Sequence, residues 1–286
     1  MSDSASEINA TRNLPPIRWT YRHTLPVRLS HWLNVVCLFI LLMSGLQIFN
    51  AHPSLSWGNR SDPDRPMPLV IGAMPIGGGV QVGITEIFGY RFDTTGVLGV
   101  SRDAEGNLSQ RGFPSWATIP GPQWLSMGRH WHLFFAWLFV INGLLYAAYA
   151  LFSRHLSKDL IPWWKDLRGI GRSLKDHLLF HHPKGEEAAH YNVLQKLAYV
   201  VVIFALGPLA VLTGFTMSPW LNSVFPQLLS VFDGRQTART IHFFVAFGFI
   251  LFILIHVFMV IVTGIWNNLR SMITGRYAIK EDKHVA

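Results

Sequence analysis

The chain has 286 residues, of which 50% are hydrophobic and only 14% charged. With a positive mean hydropathy it is too apolar for an ordinary soluble domain and reads as a membrane protein. A formal charge of +8 raises the option of a nucleic-acid partner, whereas the single cysteine, Cys37, excludes a disulfide framework, a paired-thiol redox motif and a thiolate zinc site.

In chain order, a basic arm carrying Arg12, Arg18, Arg22 and Arg28 leads into a first apolar run at about 32–50. The arm before it and the length of the run argue against a cleavable signal peptide. Residues 51–129 follow, holding most of the glycine and proline, as in "AMPIGGGVQVG" and "SWATIPGPQW". So many aromatics lie there (Trp57, Phe88, Tyr90, Phe92, Phe113, Trp116, Trp124) that an ordered cap or docking surface is expected rather than a disordered loop. A second apolar run spans about 133–152. The connection after it, "IPWWKDLRGIGRSLKDHLLF", alternates apolar and basic residues at helical spacing and predicts an interfacial amphipathic helix over 161–181. The third and fourth runs lie at about 197–220 and 241–266.

Each run is long enough to cross a bilayer. The expected fold class is therefore an all-α membrane protein, a four-helix transmembrane bundle. The arm, the second connection and the tail (Arg270, Arg276, Lys280, Lys283) are rich in Lys and Arg. The positive-inside rule puts all three, and both termini, in the cytoplasm, which makes 51–129 periplasmic. The excess charge is then topological, and no nucleic acid is needed.

Ionisable side chains inside spans are functional candidates by default. The fourth run, "ARTIHFFVAFGFILFILIHVFMVIVTG", carries His242 and His256, 14 residues apart. On a straight helix they face the same way, about 21 Å apart in depth. One metal ion cannot take both, but two flat cofactors stacked across the bilayer can each take one. His31, at the inner end of the first run, is level with His256. His130 and His132, at the outer end of the second, are level with His242. "RHWHLFFAWLFV" aligns with "RTIHFFVAFGFI", matching His132 to His242 and favouring it, with His130 as the competitor. Gly45 and Gly143 fall near the same faces and could open room for a macrocycle, although glycine is common at membrane-helix contacts. The third run has no histidine and reads as a packing wall bent by Pro208. Four histidines matched pairwise in depth point to two haem b groups with bis-histidine ligation, which suits electron transfer rather than oxygen chemistry.

At these residues the chain resembles the bacterial membrane-bound di-haem cytochrome b family. That family supplies the quinone-linked cytochrome b subunits of nickel–iron hydrogenases, formate dehydrogenases and thiosulfate-reductase-like molybdoenzymes. The resemblance lies in "RLSHWLNVVCLFILLMSGLQIF", "GRHWHLFFAWLFVINGLLYAAY", "LAYVVVIFALGPLAVLTGFTMSPW" and the fourth run. It implies His31 with His256 at an inner haem and His132 with His242 at an outer one. It also implies a quinone beside the inner haem, near Arg28 and Asn34. The long 51–129 connection departs from the simplest members and is more like variants that accompany periplasmic molybdenum-dependent oxidoreductases than those of hydrogenases.

The expectation is a di-haem subunit in the bacterial inner membrane, moving electrons between the quinone pool and a periplasmic redox subunit. The alternative is a stand-alone quinone-linked oxidoreductase acting on a small oxidant such as superoxide or ferric iron. A proton-relaying transporter is disfavoured, because no Asp or Glu lies inside any run.

Overall fold

A computed structural model describes residues 17–62, 65–103, 105–153, 168, 170, 171, 175 and 193–280. The expected interfacial helix over 161–181 lies outside the described residues but for four isolated positions. The protein is mostly helical. Four helices are long and apolar enough to cross a membrane: α1 (Leu25–Phe49), α2 (Leu125–Phe152), α3 (Val193–Met217) and α6 (Arg235–Val262). Their side chains leave large apolar surfaces uncovered, among them Phe39, Leu144, Leu145, Leu251 and Leu254. Such contiguous apolar faces on long helices are what lipid covers. Within α3, residues Val202–Leu206 widen into a π-helical stretch just before Gly207 and Pro208. Pro208 has no N–H to give the turn before it, so the local ladder is re-paired there.

The chain divides into two compact units. One comprises residues 1–31, 146–201 and 252–286. Here β1 (Ile17–Tyr21) pairs antiparallel with β8 (Arg276–Lys280), Trp19 opposite Ala278. The helix before β8, α7 (Ile265–Thr274), ends on Gly275 at φ +83°. The Asn267 amide brackets Ala278 from α7, donating to its carbonyl at 2.9 Å and accepting from its N–H at 3.0 Å. Arg22 lies over the Tyr277 ring and Arg270 over Trp19. Thr24 Oγ1 and Tyr149 Oη are hydrogen-bonded at 2.8 Å.

The other unit comprises residues 32–145 and 202–251. The all-α expectation needs correcting in it, because the connection after α1 is largely β structure. Strands β2 (Ser54–Leu55), β3 (Leu69–Gly77), β4 (Val80–Ile87) and β5 (Tyr90–Asp93) form one antiparallel sheet in sequence order. Strands β6 (Gly99–Arg102) and β7 (Leu108–Arg111) form a separate hairpin. The glycines that looked like loop punctuation are what let two layers touch. Gly99 has φ +78°, and a Cβ there would stand 2.1 Å from the Gly72 carbonyl oxygen. Gly99→Ala combines a clash with left-handed strain, so it is expected to cost more than about 2 kcal/mol. A lower melting temperature with faster proteolysis between residues 54 and 111 is the measurement.

The cap is fastened to the helices by a small core of Phe49, Leu55 and Ile71, onto which Leu69, Leu98, Phe113 and Phe243 pack. Polar ties surround it. The Asn50 side chain brackets Phe113, donating to its carbonyl at 3.1 Å and accepting from its N–H at 2.6 Å. Arg239 Nη1 donates to the Ser54 carbonyl at 2.9 Å and Nη2 to that of His52. Thr240 Oγ1 donates to the Ser56 carbonyl at 2.7 Å. Beside Asn50, Arg111, 4% exposed, donates to the Phe113 and Gly121 carbonyls at 2.6 and 2.9 Å and to Thr118 Oγ1 at 2.9 Å. Two short helices, α4 (Pro219–Val224) and α5 (Gln227–Val231), join α3 to α6.

Candidate functional site

The structure brings the candidate histidines together as two pairs, each wholly within one unit. His31 on α1 and His256 on α6 have ring centres 6.3 Å apart, tilted by 57°. Phe252, one turn before His256, stacks on its ring at 5.7 Å. His132 on α2 and His242 on α6 have ring centres 6.1 Å apart, tilted by 64°. His130 is exposed on α2, and it is His132 that faces His242.

These spacings can be tested against a ligand set. A metal–imidazole bond is about 2.0–2.1 Å, and an imidazole nitrogen lies about 1.1 Å from its ring centre. Two imidazoles on opposite sides of one metal ion therefore have centres roughly 6.3 Å apart. Both pairs fit. Rings in edge contact also have centres about 4.5–7 Å apart, so the argument rests on finding this spacing twice, each time between histidines inside apolar helices. Among the described residues, no cluster of three or more His, Cys, Asp or Glu could hold a bare ion. Two imidazoles alone suit a metal whose other four ligands come with it, as in a porphyrin.

The surroundings of the His132–His242 pair are built to orient it. His132 Nδ1 lies 3.1 Å from Ser44 Oγ on α1, and Gly45 brings the helix against the ring, since a Cβ there would lie 3.4 Å from His132 Cε1. His242 Nδ1 lies 2.9 Å from Thr213 Oγ1 on α3 and 3.1 Å from the Ala210 carbonyl oxygen. A Cβ at Gly214 would lie 3.6 Å from His242 Cε1. Aromatic contacts frame the same region, with Phe139 edge-on to Phe249 and Trp137 against Phe215.

The remaining sequence candidates fall as follows. Gly45 touches the His132 imidazole, whereas Gly143 has open space around it. Asn34 Oδ1 accepts from Asn142 Nδ2 at 2.8 Å, a polar pair joining α1 to α2. Arg28 Nη1 donates to the Ile273 carbonyl. Sequence reasoning missed Ser44, Thr213 and Gly214. The signal was present as a repeated hydroxyl–glycine dipeptide, "SG" in the first apolar run and "TG" in the third.

Comparison with known proteins now adds to this geometry. The sequence profile of prokaryotic cytochrome b561 matches residues 22–275. A curated relative, described as a putative protein-methionine-sulfoxide reductase subunit YedZ1 of Azospira oryzae, is 27% identical over 253 residues, covering 87% of this chain and 93% of the relative. No solved structure gives a significant match.

Proposed function

The chain belongs to the prokaryotic cytochrome b561 family of haem-binding, electron-carrying membrane proteins, and we propose that it binds two haem b groups, each clamped between two histidines. His31 and His256 would hold the inner one, and His132 and His242 the outer one. The observation that carries this reading is the recurrence of one imidazole spacing, 6.3 and 6.1 Å, at two places. When bound, haem b supplies reversible one-electron carriage at a potential tuned by its ligands and shell. The chain's own side chains do the rest. Two imidazoles per site would hold the haem between them and keep substrates off its metal. The apolar helices exclude water, which favours electron carriage over side reactions with solvent.

In this reading the protein is a multi-pass subunit of the bacterial inner membrane, with cytoplasmic termini and a periplasmic β cap. It moves electrons between the quinone pool and a periplasmic oxidoreductase docked on the cap. The cap's exposed aromatic side chains, Tyr90 at 74% and Trp116 at 76% exposure, suit a docking face. The relative's description as a protein-methionine-sulfoxide reductase subunit supports a reductase partner over a hydrogenase, and the long cap is the reason for placing that partner in the molybdenum-dependent class. Quinone is assigned near Arg28 and Asn34 on the strength of the family resemblance.

Haem quantitation on the purified full chain, combined with a redox titration, tests the proposal. The expected result is two haem b per chain with two resolved midpoints, and one haem or none removes the reading. Turnover of superoxide or ferric iron by the chain alone, with no periplasmic partner, would replace the subunit role by that of a self-contained oxidoreductase.

A further inference from the structure

The two imidazoles of the His132–His242 pair meet the same local construction on different helices. On α1, Ser44 Oγ lies 2.6 Å from the Ile40 carbonyl oxygen and 3.3 Å from that of Leu41. On α3, Thr213 Oγ1 lies 2.6 Å from the Leu209 carbonyl oxygen and 3.1 Å from that of Ala210. A hydroxyl has one proton, and carbonyl oxygens only accept. Each hydroxyl therefore spends its proton on its own helix, the usual back-bond of a Ser or Thr inside an apolar helix. What it offers the histidine is a lone pair. The Ala210 carbonyl beside His242 Nδ1 makes the same demand. Each Nδ1 is then placed to donate a hydrogen, and a neutral imidazole protonated at Nδ1 leaves the lone pair on Nε2. Ser44 and Thr213 are completely buried, so no solvent competes for these bonds. The glycine that follows each hydroxyl keeps the helix surface flat where the ring rests.

We propose that the Ser44-Gly45 and Thr213-Gly214 dipeptides are matched seats that lock the His132 and His242 imidazoles in the Nδ1–H tautomer and present Nε2 to the outer haem. The inference rests on the haem reading above. It makes Ser44 and Thr213 positioning residues, and it gives α3 a part in ligand control although α3 contributes no histidine. An acceptor on Nδ1–H also makes an imidazole a stronger donor to its metal, which favours the oxidised metal and holds the outer midpoint down.

Ser44→Ala and Thr213→Val remove the hydroxyls while keeping shape close. In the purified full-length protein, electron paramagnetic resonance and redox titration read the two sites separately, and transfer of haem to apomyoglobin reads retention. In each variant one low-spin signal is expected to move and one midpoint to rise, with the other site unchanged. Haem at the altered site should be lost about tenfold faster, in line with the effect of removing such outer partners. Ser44→Thr and Thr213→Ser should restore the original signals. Unchanged signals and midpoints in both variants overturn the proposal, and so does an equal shift at both sites, which marks a general loosening of the fold. A wild-type protein lacking two low-spin haems would instead bring down the haem reading itself, and the seats with it.

Discussion

Replacement of His242 by alanine is expected to leave one haem b per chain in place of the two proposed for the wild-type protein. The argument is local. His132 and His242 hold their ring centres 6.1 Å apart, the width one metal ion between them would need, and no third His, Cys, Asp or Glu joins either pair among the described residues. Taking away one imidazole leaves a single protein ligand and nothing to replace the other. Outer partners of a ligand typically cost 10- to 100-fold in metal affinity when lost, and a ligand itself costs more. His256→Ala is expected to give the complementary loss from the other site, because its partner His31 stands 6.3 Å away on an independent set of contacts. His130→Ala should change neither, since His130 is exposed on α2. Pyridine-haemochrome quantitation per mole of protein is the check. Two haems retained in His242→Ala would remove the pairing on which the functional reading rests.

The second large effect is expected from Arg111→Ala, and it concerns the cap. Arg111 is almost entirely buried, and its described hydrogen bonds run to the Phe113 and Gly121 carbonyls, Thr118 Oγ1 and Gln47 Oε1. Burial pushes the guanidinium's pKa down, with the nearby Asp103 acting against the shift, yet an arginine stays charged across the accessible pH range. Removing it leaves Thr118 Oγ1 and Gln47 Oε1 without this donor and the Gly121 carbonyl with only a long bond from Thr118, while the Phe113 carbonyl keeps Asn50. A buried acceptor left unpaired costs about 1–3 kcal/mol. A total loss of roughly 3 kcal/mol or more follows. Arg111→Lys should recover only part of it, because an ammonium cannot fork to acceptors in three directions as a planar guanidinium does. Thermal unfolding of the purified protein, alongside proteolysis of residues 54–111, reads both variants. A melting temperature unchanged in Arg111→Ala would show that the cap does not depend on this tie.

Why some of this was legible in the sequence and some was not follows from the residues concerned. The four spanning helices announce themselves, because twenty or so consecutive apolar residues have few other uses. His31, His132, His242 and His256 stood out because an imidazole in such a run is costly without a purpose. To the matched-depth argument the structure adds two ring-centre distances, 6.3 and 6.1 Å. The β cap was hidden by its glycines. Gly77, Gly78 and Gly79, all at positive φ, turn the β3–β4 hairpin, and Gly72, Gly83 and Gly99 interrupt the alternation of apolar and polar residues by which strands are usually read. The use of Gly83 and Gly99 is close approach of two layers, a three-dimensional fact. Ser44 and Thr213 were invisible for another reason. A hydroxyl in an apolar helix is normally accounted for by its own i−4 carbonyl, and here it makes that bond as well. Only the chain fold shows that its remaining lone pair faces a histidine 88 residues away in one case and 29 in the other.

The pairing of β1 with β8 bears on how the protein is made. β8, at Arg276–Lys280, is synthesised after all four spanning helices, whereas its partner β1, at Ile17–Tyr21, precedes them. From the first span onward the early strand must wait, its edge unpaired, until translation has passed every helix. The α1–α2 cap and the Ser44 seat, by contrast, need nothing encoded beyond α6. The unit that contains this sheet therefore cannot be completed until translation has passed Lys280.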